Sequence, residues 1–381
     1  MTYVCFFNLT PLYPQVAQDL SLDAGSLGTL VGIGGIVALL VQVPAGSGGD
    51  RWGRRPFFGL AMLLLIASQL ARWQATLPAM LLASQVLGGA AQGTATVNAW
   101  ALVADATSTH GSGKGQAFGI LNAALALGLV AGYLIAGGIG SLIGWQSMSL
   151  LLALFPLLAL PALVWVPSRG AAAAVDRPAL GTVLRSVADK QRLALAVMAG
   201  LTLGAGQGAL YLLPFGLQQR DLGPFTAALL LVPYVVGSVI AGPLAGRLTD
   251  RVGTRPVLVG LLALGGVATV ALVWGASSTL SLIVCFTLVG ASVNGALPLM
   301  AVRAVELGDT SGVGRGSIIA GLRMGQSSGT FLGPAIAGSM LAHAGLTAAW
   351  LAQACFLVAS LAIYEGTARE PRRAAAPVHT L

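Results

Sequence analysis

One charged knot is written twice in this chain. Gly46-Ser-Gly-Gly-Asp50-Arg51-Trp-Gly53-Arg54-Arg55-Pro56 returns two hundred residues later as Gly246-Arg-Leu-Thr-Asp250-Arg251-Val-Gly253-Thr-Arg255-Pro256. Each copy follows a long apolar segment and opens another, so the chain reads as two similar halves. The uncharged runs between knots are about 20 residues long, the length at which a helix rising about 1.5 Å per residue crosses about 30 Å of hydrocarbon. Composition agrees: 56% of residues are hydrophobic, 8% are charged and the mean hydropathy is +0.84, outside the range of soluble domains. In lipid an uninterrupted apolar run must satisfy its own backbone, which selects helix over sheet.

Twelve spans follow, over 1–18, 25–46, 56–74, 77–104, 115–142, 146–167, 192–217, 224–247, 256–274, 279–304, 316–342 and 346–365. The expected organisation is a six-helix half at 1–167, a linker rich in alanine and mixed charge at 168–191, a second half at 192–365 and a tail at 366–381. With both termini cytoplasmic, seventeen of the twenty cations fall on the cytoplasmic side. Arg72 and Arg220 lie on the other side and Arg323 within a span, a strongly positive-inside pattern. The expected location is the inner or plasma membrane, crossed many times. Span one starts at Met1 and is shorter than its counterparts, so further residues upstream are expected.

The knot resembles the signature loop of the major facilitator superfamily, Gly-x-x-x-Asp-Arg/Lys-x-Gly-Arg/Lys-Arg/Lys. The first copy fits at Gly46, Asp50, Arg51, Gly53, Arg54 and Arg55; the second fits at Gly246, Asp250, Arg251, Gly253 and Arg255, with Thr254 in place of a cation. The resemblance implies an all-α membrane protein of twelve transmembrane helices in two pseudo-symmetric six-helix halves. It also implies a conformational latch: Gly46 admits span eleven close to span two, Asp50 faces that helix's positive end, and Arg54 bridges Asp50 to Asp105. Asp250, Arg251, Arg255 and Glu306 are the second-half counterparts. Such charges also serve to anchor topology, but anchoring needs no acid. Gly128 and Gly132 in span five, Gly200, Gly204 and Gly208 in span seven, and Gly325, Gly329, Gly333 and Pro334 in span eleven place small residues on one helical face, which suits close packing in lipid. Span five resembles the family's antiporter motif, with Tyr133 where that motif has proline.

Spans one, four, seven and ten line the cavity in the family. They offer Asn8, Gln85, Gln92, Gln207, Tyr211 and Asn294, polar and uncharged groups that either contact substrate or bond helix to helix. Gln85 stands where many of the family's antiporters carry arginine. All twelve acids fall at helix ends, in loops or in the tail, so no carboxylate is expected inside the bundle. Arg323, read as the one charge within a span, either meets an anionic substrate or snorkels towards Asp50.

The expected function is secondary transport of a small organic solute by alternating access, as multidrug or metabolite efflux. An uptake facilitator or cation symporter is the alternative, and a transporter-like sensor or assembly factor is the alternative of another class. A membrane enzyme is disfavoured because no nucleophile or metal set appears. Gly111-Ser-Gly-Lys114-Gly115 fails the phosphate-loop pattern, and Cys5, Cys285 and Cys355 lack metal spacing. No cofactor, metal or nucleic acid is expected. The expected partners are a small-molecule substrate, membrane lipid and a coupling ion such as the proton, with the chain as a monomer.

Overall fold

The computed structural model describes residues 2–108, 114–166, 190–275, 278–311 and 315–368. Every element among them is helical. Among the described residues nine helices are long and apolar enough to cross a membrane, one of them the 47-residue stretch Gly321–Thr367, which turns at Gly345 and so carries spans eleven and twelve.

The spans are shaped by their prolines and glycines. Span one is expected as one helix but is broken into Thr2–Phe6, a 3-10 turn at Thr10–Leu12 and a helix at Tyr13–Asp19. Pro11 supplies no N–H for the Phe7 carbonyl and Pro14 none for Thr10, so the ladder cannot continue. Span five runs Lys114–Ile135, widens to a π turn at Ala136–Gly140 and ends at Ser141–Ile143. Three glycines in that π turn leave it without side-chain support. Span six is α-helical over Trp145–Ala159 and tightens to 3-10 at Leu160–Trp165, where Pro161 interrupts it. Spans two, three, four, seven, eight, nine and ten are Ala24–Trp52, Arg54–Trp73, Pro78–Ser108, Lys190–Gln218, Pro224–Val252, Thr254–Gly275 and Thr279–Ser311. Span seven thus begins two residues inside the expected linker. The remainder of that linker, and the tail beyond Ala368, lie outside the described residues.

The knots are not loops, as the sequence suggested, but single-residue corners. Span two stays helical through Trp52 and span three starts at Arg54, with Gly53 alone between them at φ 87° and ψ 156°. Gly253 makes the same corner between spans eight and nine at φ 89° and ψ 161°. Gly144 joins spans five and six at φ 84° and ψ 153°, and Gly345 joins spans eleven and twelve at φ 84° and ψ 175°. This region is open to glycine and essentially closed to other residues. The fold is therefore four three-helix units, each turned at an equivalent glycine, paired into two halves.

Apolar side chains cover the outside as well as the core: Leu127, Leu158, Val267 and Leu280 are all exposed. A water-soluble protein does not expose a belt of this kind, whereas lipid accepts it. Within the second half, spans seven and eleven are zipped by glycines. A Cβ added at Gly325, Gly329 or Gly333 would collide with the backbone carbonyl of Ala196, Gly200 or Gly204 respectively. In the first half Gly128 and Gly132 lie against Tyr3 and Val4 of span one.

Candidate functional site

The halves meet at the end carrying Gly144 and Gly345, here the far end. Gly25, Gly32 and Gly35 of span two lie against Ser339, Phe331 and Thr330 of span eleven, and Gly137 of span five lies against Phe225 of span eight. The Tyr211 hydroxyl of span seven donates 2.6 Å to the Ala24 carbonyl of span two. Its ring lies 5.2 Å from that of Tyr13 in span one. Near the knots the pattern changes. Gly46 faces Val97 of its own half, and nothing lies within 4 Å of a Cβ at Gly242 or Gly246.

Below the far-end contacts lies a cleft of about 380 Å³, open space included, lined by Phe6, Phe7, Thr10, Tyr13, Val31, Gln85, Gln207, Leu210, Tyr211, Thr330 and Pro334. It draws on spans one, two and four of the first half and seven and eleven of the second. The break in span one turns Phe6, Phe7 and Thr10 into it. Its polar atoms are amides and hydroxyls, and no acid among the described residues lines it. Such a surface recognises a solute by hydrogen bonds and ring contacts rather than by charge.

The six expected cavity residues divide. Gln85, Gln207 and Tyr211 line the cleft, and Gln92 bonds the Tyr3 side chain. Asn294 is spent within the second half, donating to the Ser238 hydroxyl at 2.8 Å. Asn8 is fully buried and turned away, accepting 2.8 Å from Arg72 Nη1. Both asparagines hold helix to helix in this structure, because each has a polar partner on the next span. Arg323 is surrounded by protein on most sides yet remains exposed, as a side chain lining an open passage does. Its guanidinium stacks 4.7 Å from the Trp100 ring across the two halves, and Nη1 donates 3.1 Å to Gln326 Oε1. It faces Trp100; the side chain of Asp50 lies outside the described residues.

The sequence reading missed Arg72. Expected as a cation on the far side, it is fully buried in the last turn of span three, so Arg323 is not the one charge within a span. Arg72 Nη1 donates to the Cys5 carbonyl at 3.3 Å and Nε to Ser84 Oγ at 3.1 Å. Gln69 Nε2 also reaches the Cys5 carbonyl at 2.6 Å, so two side chains of span three hold the acceptor that the break in span one exposes. The polar runs Ser68-Gln69 and Arg72 at helical spacing were the available signal.

Arg54 is buried at the knot end, while Arg51, Asp250 and Arg251 are exposed. A Cβ at Gly46 would meet Val97 of span four. Arg255 pairs with Glu365 of span twelve, Nη2 to Oε2 at 2.7 Å and Nε to Oε1 at 3.3 Å. That pair is solvent-exposed and braces spans nine and twelve of one half. The side chains of Asp50, Asp105 and Glu306 lie outside the described residues. No group of three or more metal-ligating side chains occurs among the described residues.

The family model for the Major Facilitator Superfamily matches residues 1–233 and 195–379. A chloramphenicol resistance protein of Streptomyces lividans is 29% identical over 371 residues, covering 90% of this chain and 91% of that protein. The solved nucleoside transporter NupG superposes with a TM-score of 0.79 at 14% identity, over 97% of this chain and 96% of its own. A bacterial homologue of the human lysosomal transporter Spinster gives 0.77 at 16% identity, over 97% and 94%. With two matched halves turned on equivalent glycines and a cleft between them, the chain is a multi-pass membrane transporter, not an enzyme, and belongs to the Major Facilitator Superfamily.

Proposed function

We propose that the chain exports small, largely uncharged organic solutes by alternating access, taking them from the cleft beneath Tyr211. The observation that carries this reading is the cleft lining of Gln85, Gln207, Thr10, Thr330 and aromatic rings, drawn from both halves and without an acid. The name of the Streptomyces lividans relative ties that protein to chloramphenicol resistance, and its match over nearly the whole chain supports efflux for this one. With the arginine-rich knots and both termini in the cytoplasm of the cell that bears it, the far-end contacts make this the inward-facing form. Solute enters between Arg323 and the knots. Reversal requires the far end to part and the knot ends to close, and the proposed latch of Gly46, Asp50, Arg51, Gly53, Arg54, Arg55 and Asp105, with Gly246, Asp250, Arg251, Arg255 and Glu306, holds that second state. The halves 1–167 and 192–365 rock as bodies about the 168–191 linker.

The described acids within spans, Asp19, Asp250 and Glu365, stand in the last turns of their helices, so proton coupling runs through acids at the helix ends. The test is transport of labelled chloramphenicol and other neutral drugs by purified protein in liposomes, with and without a pH gradient. Gradient-driven accumulation that Gln207→Ala lowers severalfold supports the proposal. Equilibration indifferent to pH moves the reading to facilitated uptake, and no flux of any panel member sinks transport of this solute class.

A further inference from the structure

Among the described residues the buried guanidinium of Arg72 has no counter-charge. The titratable groups that feel its charge are Cys5 and Tyr13, and neither is a carboxylate. Its position in the fold does not demand a cation either. The residue at the same offset from the second knot is Leu272, fully buried in the equivalent last turns of span nine, so the same architecture is built there with a hydrocarbon. Nor does the break in span one require it, because Gln69 alone already bonds the Cys5 carbonyl. A cation taken out of water without a partner is costly, and proteins that keep one supply an opposite charge.

Two donors beside this charge are unused by the protein. Arg72 Nη2 and Asn8 Nδ2 are buried without a hydrogen-bond partner, on two side chains already joined at 2.8 Å through Nη1 and Oδ1. Each of those two side chains is fully buried. Asn8 stands in span one between Phe7 and Thr10, both of which line the cleft.

We propose that Arg72 and Asn8 form a buried site for one small monovalent anion, of the size of chloride or a single carboxylate group, behind the wall of the cleft. Arg72 supplies the charge and a fork edge, and Asn8 a neutral second donor. The ion neutralises span three and fixes the break in span one, on which the cleft side chains Phe6, Phe7 and Thr10 sit.

The experiment measures the unfolding midpoint of the full-length purified protein in sodium gluconate against sodium chloride, at fixed ionic strength and constant pH. A parallel arm uses sodium benzoate as a carboxylate probe. A ligand of the folded state raises the midpoint saturably by mass action, so the expected result is a rise of a few degrees by about 150 mM chloride. Asn8→Asp is the deciding variant. It places a tethered carboxylate against Nη1, and is expected to be as stable in gluconate as the parent is in chloride, with the chloride response gone. Arg72→Gln removes the charge and is expected to abolish the response; should it fail to fold, Asn8→Asp carries the test. A benzoate response without a chloride response, lost in Asn8→Asp, supports the site with an organic carboxylate as its occupant. Indifference of the parent to both anions overturns the proposal, as does a chloride response that survives Asn8→Asp.

Discussion

Replacing Gly253 by alanine separates backbone strain from packing. A Cβ added there meets no atom within 4 Å, so no collision contributes. The corner holds φ at 89° and ψ at 161°, a region in which a side-chain-bearing residue costs about 1–3 kcal/mol. Gly246, seven residues earlier in the same knot, is the matched control: it is helical, and a Cβ there also meets nothing within 4 Å. Alanine at Gly246 removes the entropic cost of a helical glycine and gains about 0.5–1 kcal/mol. The two variants should therefore differ in stability by about 1.5–4 kcal/mol, with Gly253→Ala the weaker. That is at least a tenfold difference in the folded-to-unfolded ratio. The assay is reversible unfolding in mixed micelles, followed by tryptophan fluorescence, on both variants side by side. Equal midpoints would refute the reasoning, because they would mean the corner relaxes to an ordinary conformation and the signature glycine is not there for its backbone.

Four further outcomes are expected. Tyr211→Phe removes the one described hydroxyl bond from span seven to the Ala24 carbonyl; a net loss of about 1 kcal/mol shifts the two-state balance roughly fivefold away from far-end closure, read by spin-label distances across that end. Asp23→Ala removes the side chain that caps span two through the Ser26 N–H at 2.8 Å, at a cost of about 1 kcal/mol in the same unfolding assay. The Ser26 N–H and hydroxyl also hold the Asp23 carboxyl below its ordinary pKa of 3.8. Its contribution is therefore complete above that value and is lost as pH falls through the lower folded one, so Asp23→Ala and parent should converge in stability only in strong acid. Gln353→Leu should stabilise by about 1 kcal/mol, because both polar atoms of that fully buried amide lack a partner.

The duplication, the all-helical class and most span positions were legible in the sequence because lipid imposes a length and forbids unsatisfied backbone. Two of the four corners were legible too, through the charges around Gly53 and Gly253. Gly144 and Gly345 make the same turn with no charge beside them, so the sequence marked them only as short gaps between spans, at 143–145 and 343–345. The cleft was half legible. Gln85, Gln207 and Tyr211 follow from which spans line a cavity, but whether Asn8 or Asn294 faces solute or a neighbouring helix depends on rotation about the helix axis, which a weakly amphipathic span does not encode. Arg72 was misplaced because proximity to Trp73 and a short loop looks like a snorkelling end, whereas its partners Cys5, Asn8 and Ser84 come from other spans. The pairing of Arg255 with Glu365 was hidden by the same distance along the chain.

The four glycine corners carry one more consequence. Each reverses the chain with a single residue, and at Gly253 and Gly345 no neighbouring side chain reaches the space a Cβ would take. The shape of the turn is thus independent of what flanks it. Two corners are ringed by arginines and two by Ile143, Trp145, Ala344 and Leu346, yet all four have nearly the same dihedrals. Geometry and sidedness are separate instructions: one is written in glycine, the other in the charges beside it. Moving those arginines from one pair of corners to the other would rewrite which face of the membrane the molecule presents, without asking any helix to bend differently.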